Sequence, residues 1–174
     1  MKRIIIAVFL ALVTLPVSLA FGADTVKLGS VDIQKILLLS DEGKEAKEQL
    51  ALKASKYEAE KNVKEDEIKK LKTELEKQSV LFSESARNAK EKYYQQRLKE
   101  YQRFLKDAQD DMQAKNDELT NRIVESIVKL IQDYGRKNAY GYIFVKNEGM
   151  MIYVDDKSDL TDELLRLFNG SRKK

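Results

Sequence analysis

Between Gly43 and Gly135 the chain runs 91 residues without a glycine or a proline, and 39 of those residues are Asp, Glu, Lys or Arg. Glycine and proline interrupt regular structure most reliably, so a charged run without them has the composition of long exposed helix. One helix of that length would extend roughly 137 Å at about 1.5 Å per residue. No compact single-core domain of 174 residues contains such an object. The run therefore moves the search for function from a pocket to the shape and surface of a projecting element.

Within the run, apolar residues recur in steps of three and four. The first part has Ala46, Leu50, Ala54 and Tyr57, then Ile68, Leu71 and Leu75, with only Ala59 and Val63 apolar between Glu58 and Glu67. The seam is thin there. The second part has Tyr94, Leu98, Tyr101, Leu105, Ala108 and Met112, then Leu119, Ile123, Ile127, Leu130 and Tyr134. This is the spacing of a coiled coil. Strand-like segments stand at both ends of the run, at Thr25–Asp32 and Tyr142–Val145. A straight helix would hold them more than about 100 Å apart; an antiparallel hairpin reversing near 79–85 brings them together. Ser83 suits the N-cap of the second helix, with Glu84 in its first turn, and Ser40 or Asp41 suits the start of the first. The apolar stripe widens over 119–134, which predicts that this end is rooted in a body.

The flanks predict that body. Ile33–Leu39 reads as a short buried helix. Met151–Val154 reads as a strand that forms a β-hairpin with Tyr142–Val145 across Asn147-Glu148-Gly149. Thr161 is the expected cap of a last helix packed through Leu164, Leu165, Leu167 and Phe168. Three short strands and a short helix make a marginal core. Val26, Leu28, Val31, Ile143, Val145, Ile152 and Val154 need partners, which predicts an obligate homo-oligomer joined through the β body.

Residues 1–23 have another character: Lys2 and Arg3, an apolar stretch from Ile4, then Pro16 and small residues. This is the pattern of a secretory signal peptide, with cleavage between 20 and 23. The alternative is an uncleaved anchor, which would make the protein a membrane-anchored or exported coiled-coil scaffold of the cell envelope. Removing residues 1–23 takes away two positive charges and no acid, leaving 30 basic and 29 acidic residues. The partition is a leader at 1–23, a β body at 24–43 and 119–174, and a helical arm at 44–118. The fold class is α+β, mostly α.

Histidine, cysteine and tryptophan are absent, which removes the commonest general base, the thiol nucleophile and most zinc sites. There is no phosphate-binding loop, so ATP is not expected. Asp155, Asp156 and Asp159 lack the ligand spacing of a calcium loop and read as a solvated turn. We expect no enzyme activity, no cofactor and no metal. One charge cluster stands out: residues 86–106 hold seven basic side chains against Glu91 and Glu100. Arg87, Lys90, Lys92, Arg97, Lys99 and Arg103 are candidates for attracting acidic clients or anionic lipid surfaces, beside the plainer reading of a solvated helix face. Nucleic acid is disfavoured by the export signal. Tyr93, Tyr94 and Tyr101 could contact a client; for Tyr94 and Tyr101 packing in the seam is the preferred reading.

A leader, the strand Val26-Lys27-Leu28-Gly29-Ser30-Val31-Asp32, a long charged hairpin containing Lys99-Glu100-Tyr101-Gln102-Arg103-Phe104, then Tyr140-Gly141-Tyr142-Ile143-Phe144-Val145 and the ending from Val154 to Leu165 occur in that order. This arrangement resembles the Skp/OmpH-like periplasmic chaperones over essentially the whole mature chain. The resemblance implies a homotrimer of "jellyfish" shape, with three arms around a cavity that holds unfolded outer-membrane β-barrel proteins without ATP, in the periplasm of a diderm bacterium. It also raises lipopolysaccharide as a ligand, although the family's basic site has no residue-by-residue match here.

Overall fold

The computed structural model describes residues 26–78, 83–147 and 151–171. The expected leader, most of the expected reversal and part of the turn at 147–149 lie outside the described residues. Strand β1 (Lys27–Val31) is followed by α1 (Ile33–Leu39), α2 (Asp41–Gln78), α3 (Glu84–Lys137), β2 (Tyr140–Val145), a 3₁₀ turn (Asp156–Ser158) and α4 (Thr161–Ser171).

The two strands pair in parallel, with Leu28 beside Tyr142, Ser30 beside Phe144 and Val31 beside Val145. Parallel neighbours need a long crossover, and here the crossover is the helical hairpin itself. The other edge of β1 is covered by the approach to α4: the Leu160 N–H donates to the Ser30 carbonyl at 2.8 Å. Among the described residues, nothing pairs with the outer edge of β2.

Each helix begins where side chains can satisfy its first N–H groups. Asp32 caps α1, accepting from the Lys35 N–H at 2.8 Å. Ser40 closes α1 and opens α2 at one corner. Its N–H donates to the Ile36 carbonyl, and its Oγ accepts from the Gly43 N–H at 3.1 Å. The corner is tight enough to require glycine, since a Cβ on Gly43 would sit 1.7 Å from the Leu37 carbonyl oxygen. Ser83 caps α3 through the Ala86 N–H. Asp41 and Glu42 open α2, while Arg136 and Lys137 close α3, matching charge to the helix dipole at both ends.

The helices α2 and α3 run antiparallel. Cross-arm pairs such as Lys90 with Glu74, Arg97 with Glu67 and Lys53 with Asp111 are symmetric about position 82. That register sets Ala46 against Leu119 and leaves the last part of α3 running past the start of α2. The surplus is covered by α1, β2 and α4. Ile36, Leu119, Ile123, Ile127, Leu160, Leu164 and Phe168 form the buried core there, with Val31 and Ala46. The core therefore sits at one end of a rod, and most of α2 and the first half of α3 have only each other to pack against.

Two expectations are corrected. Met151–Val154 is not a strand: among the described residues the sheet has two strands, and Ile152 and Tyr153 stand in solvent. An apolar run becomes a strand only where a sheet edge and a core both receive it, and here the open edge of β2 has no core beside it to bury Ile152 and Tyr153. Thr161 does not cap α4. Asp159 does that work, its Oδ1 accepting from the Thr161 N–H at 2.9 Å. The buried Thr161 hydroxyl instead accepts from the Asp32 N–H at 2.9 Å and donates to Asp159.

Candidate functional surfaces

The six basic residues singled out on α3 divide by direction. Lys90 and Arg97 face the other arm. Lys90 Nζ lies 2.7 Å from Glu74, and Arg97 reaches Glu67 at 3.1 Å and Glu100 at 2.8 Å. The Arg97 guanidinium also donates to the Tyr93 hydroxyl at 2.8–2.9 Å. Those bonds, first to Tyr93 and then to Glu100, raise its already high pKa further. Lys92, Lys99 and Arg103, spaced by seven and four, lie on the side of α3 turned away from α2. Among the described residues Arg103 pairs only with Asp107 on its own helix, at 3.5 Å, and its side chain is 83% exposed. Among the described residues Arg87, Lys92 and Lys99 make no ion pair. The charge run is thus two features: a stitch between the arms and a basic stripe on the outside.

The tyrosines serve the seam. Tyr101 donates to Glu65 on the facing helix, a bond that pushes its phenol up to about 12. Tyr57 donates to Asp111 and packs edge-on against Phe104, ring centroids 6.0 Å apart. The Asp111 carboxyl is held below its ordinary value by Lys53 first and Tyr57 second. Tyr94 is half-buried between the arms, and Tyr93 bridges Glu67 and Arg97.

The body presents an apolar face. Leu28, Tyr142 and Phe144 share one side of the sheet; the two rings stack at 6.0 Å, and all three side chains are exposed. Val26, Val145 and Ile152 are exposed as well. Ile143 and Val154 are half-buried, with Ile143 packed on the chain's own core. Val31 lies fully inside that core and has no surface to offer a partner.

Asp159 ties this body together. Burial opposes its charge most strongly, but hydrogen bonds from Lys146 at 2.8 Å and from the Thr161 hydroxyl and amide outweigh burial and bring its carboxyl down to about 2. A depression of about 850 Å³ is open to solvent between α3 and α4 and is lined by Asp41, Leu130, Arg166 and Leu167 among others. Among the described residues no group of acidic side chains could hold a metal, and no helix is long and apolar enough to cross a membrane.

No curated protein matches the chain. A crystal structure from Caulobacter crescentus CB15, assigned as an OmpH-like outer membrane chaperone, has the same fold, with a TM-score of 0.78. The two chains are 13% identical, and the likeness covers 86% of this chain and 88% of that one. The family model for outer membrane protein (OmpH-like) matches residues 27–168, from the start of β1 to the buried Phe168 of α4. The chain belongs to the OmpH-like outer membrane protein family.

Proposed function

We propose that the mature protein is an ATP-independent holdase of the periplasm. As a homotrimer joined through the β bodies, it surrounds unfolded outer-membrane β-barrel proteins with its arms and keeps them from meeting one another. The observation that carries this reading is the arm. Two helices of 38 and 54 residues project from a body whose core is confined to one end. Such an element encloses nothing by itself but can wall a space when several copies stand together. The exposed Leu28, Tyr142 and Phe144 and the open edge of β2 favour self-association at the body. The stripe of Lys92, Lys99 and Arg103 supplies long-range attraction for acidic clients, and anionic lipid or lipopolysaccharide surfaces are further partners of the same charge. Many weak contacts allow release without nucleotide. Native mass spectrometry of the mature protein, alone and after an unfolded β-barrel is diluted into it, tests the reading. Trimers, and trimers carrying client, are expected; monomers or client-free trimers would contradict it.

A further inference from the structure

The inward positions of α2 run Tyr57, Lys61, Lys64, Ile68, Leu71 and Leu75, each half-buried, whereas Ala59 and Val63 face solvent and Val63 is 69% exposed. Two successive seam positions therefore hold lysine where a coiled coil places apolar side chains. Among the described residues neither ammonium forms an ion pair across the arm. Lys61 turns to Glu58 at 3.2 Å and Lys64 to Glu60 at 3.3 Å, both on α2 itself. What crosses to α3 is the Lys64 ammonium over the face of the Phe104 ring, its Nζ 5.1 Å from the ring centre. Beside it an unfilled groove of about 200 Å³ is lined by Ala54, Tyr57, Lys61, Leu105, Ala108 and Met112. Leu105, a seam residue of α3, is left 39% exposed. The direct ties at this level are the Tyr101–Glu65 bond, the Tyr57–Phe104 ring contact and the Lys64 ammonium on Phe104. On the tip side the apolar seam resumes at Ile68, and on the body side it is closed by Ala46 and Leu119.

We propose that Lys61 and Lys64 form a joint in the arm. The two helices part and bend there while the distal clamp of Ile68, Leu71 and Leu75 and the rooted base stay paired. Each ammonium keeps a carboxylate partner on its own helix and stays within reach of water, so the lysines cover the seam without the apolar interlock that closes it elsewhere. Helix without an apolar partner is marginal in water, so the joint is also the weakest stretch of helix. The ion pairs next to it are exposed and are screened by salt.

Hydrogen exchange on the mature protein, without client, tests the joint separately from the holding function. Amides of 58–66 and 101–107 are expected to exchange at least about tenfold faster than those of 47–54 and 68–74, with a gap that widens at high salt. In the variant K61L/K64L the seam is continuous, and the gap is expected to vanish. Uniform protection along the native arm would overturn the proposal. So would a gap that persists in the double variant.

Discussion

The Thr161 Oγ1 accepts a hydrogen bond from the Asp32 N–H at 2.9 Å and donates to Asp159 Oδ1. One buried hydroxyl thus fastens the start of the last helix to the junction of β1 and α1, two elements separated in sequence by the whole arm. Replacing Thr161 with Val keeps the shape and removes both bonds, leaving a part-buried N–H unpaired. A loss of about 1–3 kcal/mol is expected, read as a lower urea midpoint at fixed protein concentration. An unchanged midpoint would show that the hydroxyl is not the fastening.

The same knot sets a dependence on acid. The Asp159 carboxyl is lowered from an ordinary 3.8 to about 2. A carboxyl depressed in the folded state contributes stability that is complete above its ordinary value and is lost as pH falls through the folded one. The contribution is therefore whole at pH 5 and above and disappears between about pH 4 and pH 2. Asp159→Asn should lower stability at pH 7 and flatten that part of the decline, measured as melting temperature against pH. A variant whose decline parallels the parent's would rule out Asp159 as a source.

The corner at Gly43 predicts a contrast between two glycines. Gly43→Ala forces a Cβ against the Leu37 carbonyl oxygen and should cost more than about 2 kcal/mol by displacing backbone at the root of the arm. Gly170, inside α4, has nothing within 4 Å of an added Cβ, and Gly170→Ala should stabilise by about 0.5–1 kcal/mol. Chemical denaturation of the two variants distinguishes a steric corner from general helix preference.

Ala139 holds a φ of 55° where α3 passes into β2. A left-handed backbone costs an L-residue roughly 1 kcal/mol that glycine avoids. Ala139→Gly should raise the melting temperature by a few degrees; a fall would show that the added freedom of the unfolded chain outweighs the relieved strain.

Direction on α3 separates two roles for its basic residues. Reversing Arg87, Lys92, Lys99 and Arg103 to Glu should weaken client capture at low salt by about tenfold or more and reduce its salt dependence, with the arm intact by circular dichroism. Arg97→Ala should instead loosen the arm, because its guanidinium bonds Glu67 across the seam. Equal capture by the quadruple variant at low salt would leave the outer stripe without a role.

Local signals in the chain were readable wherever the physics is local. The hydroxyl of Ser83 announces a helix start, and the three–four spacing from Tyr94 to Met112 announces a seam, because both depend on neighbours within a few turns. The strands flanking the run called for a reversal, and β1 and β2 do pair. Facing was not readable. Lys90 and Arg97 look like Lys92 and Lys99 in a charge count, and only the register of α2 against α3 turns the first pair inward. Lys61 and Lys64 showed only as a thin place in the seam, since a lysine at an inward position looks the same in sequence as one in solvent. Met151–Val154 has a strand's composition without a core in its own chain to cover it, and Thr161 looks like the cap in sequence because Asp159 reaches over it from two residues before.

The most direct test of a holding function is light scattering by an unfolded outer-membrane β-barrel diluted from urea into buffer without nucleotide. The mature protein at equal trimer concentration should suppress the scattering. A form with residues 62–102 replaced by a short turn should keep the core around Ile123 and Phe168 and lose most of the suppression. Equal suppression by the shortened form, or none by the full one, would contradict the account that the arm's reach is what holds the client.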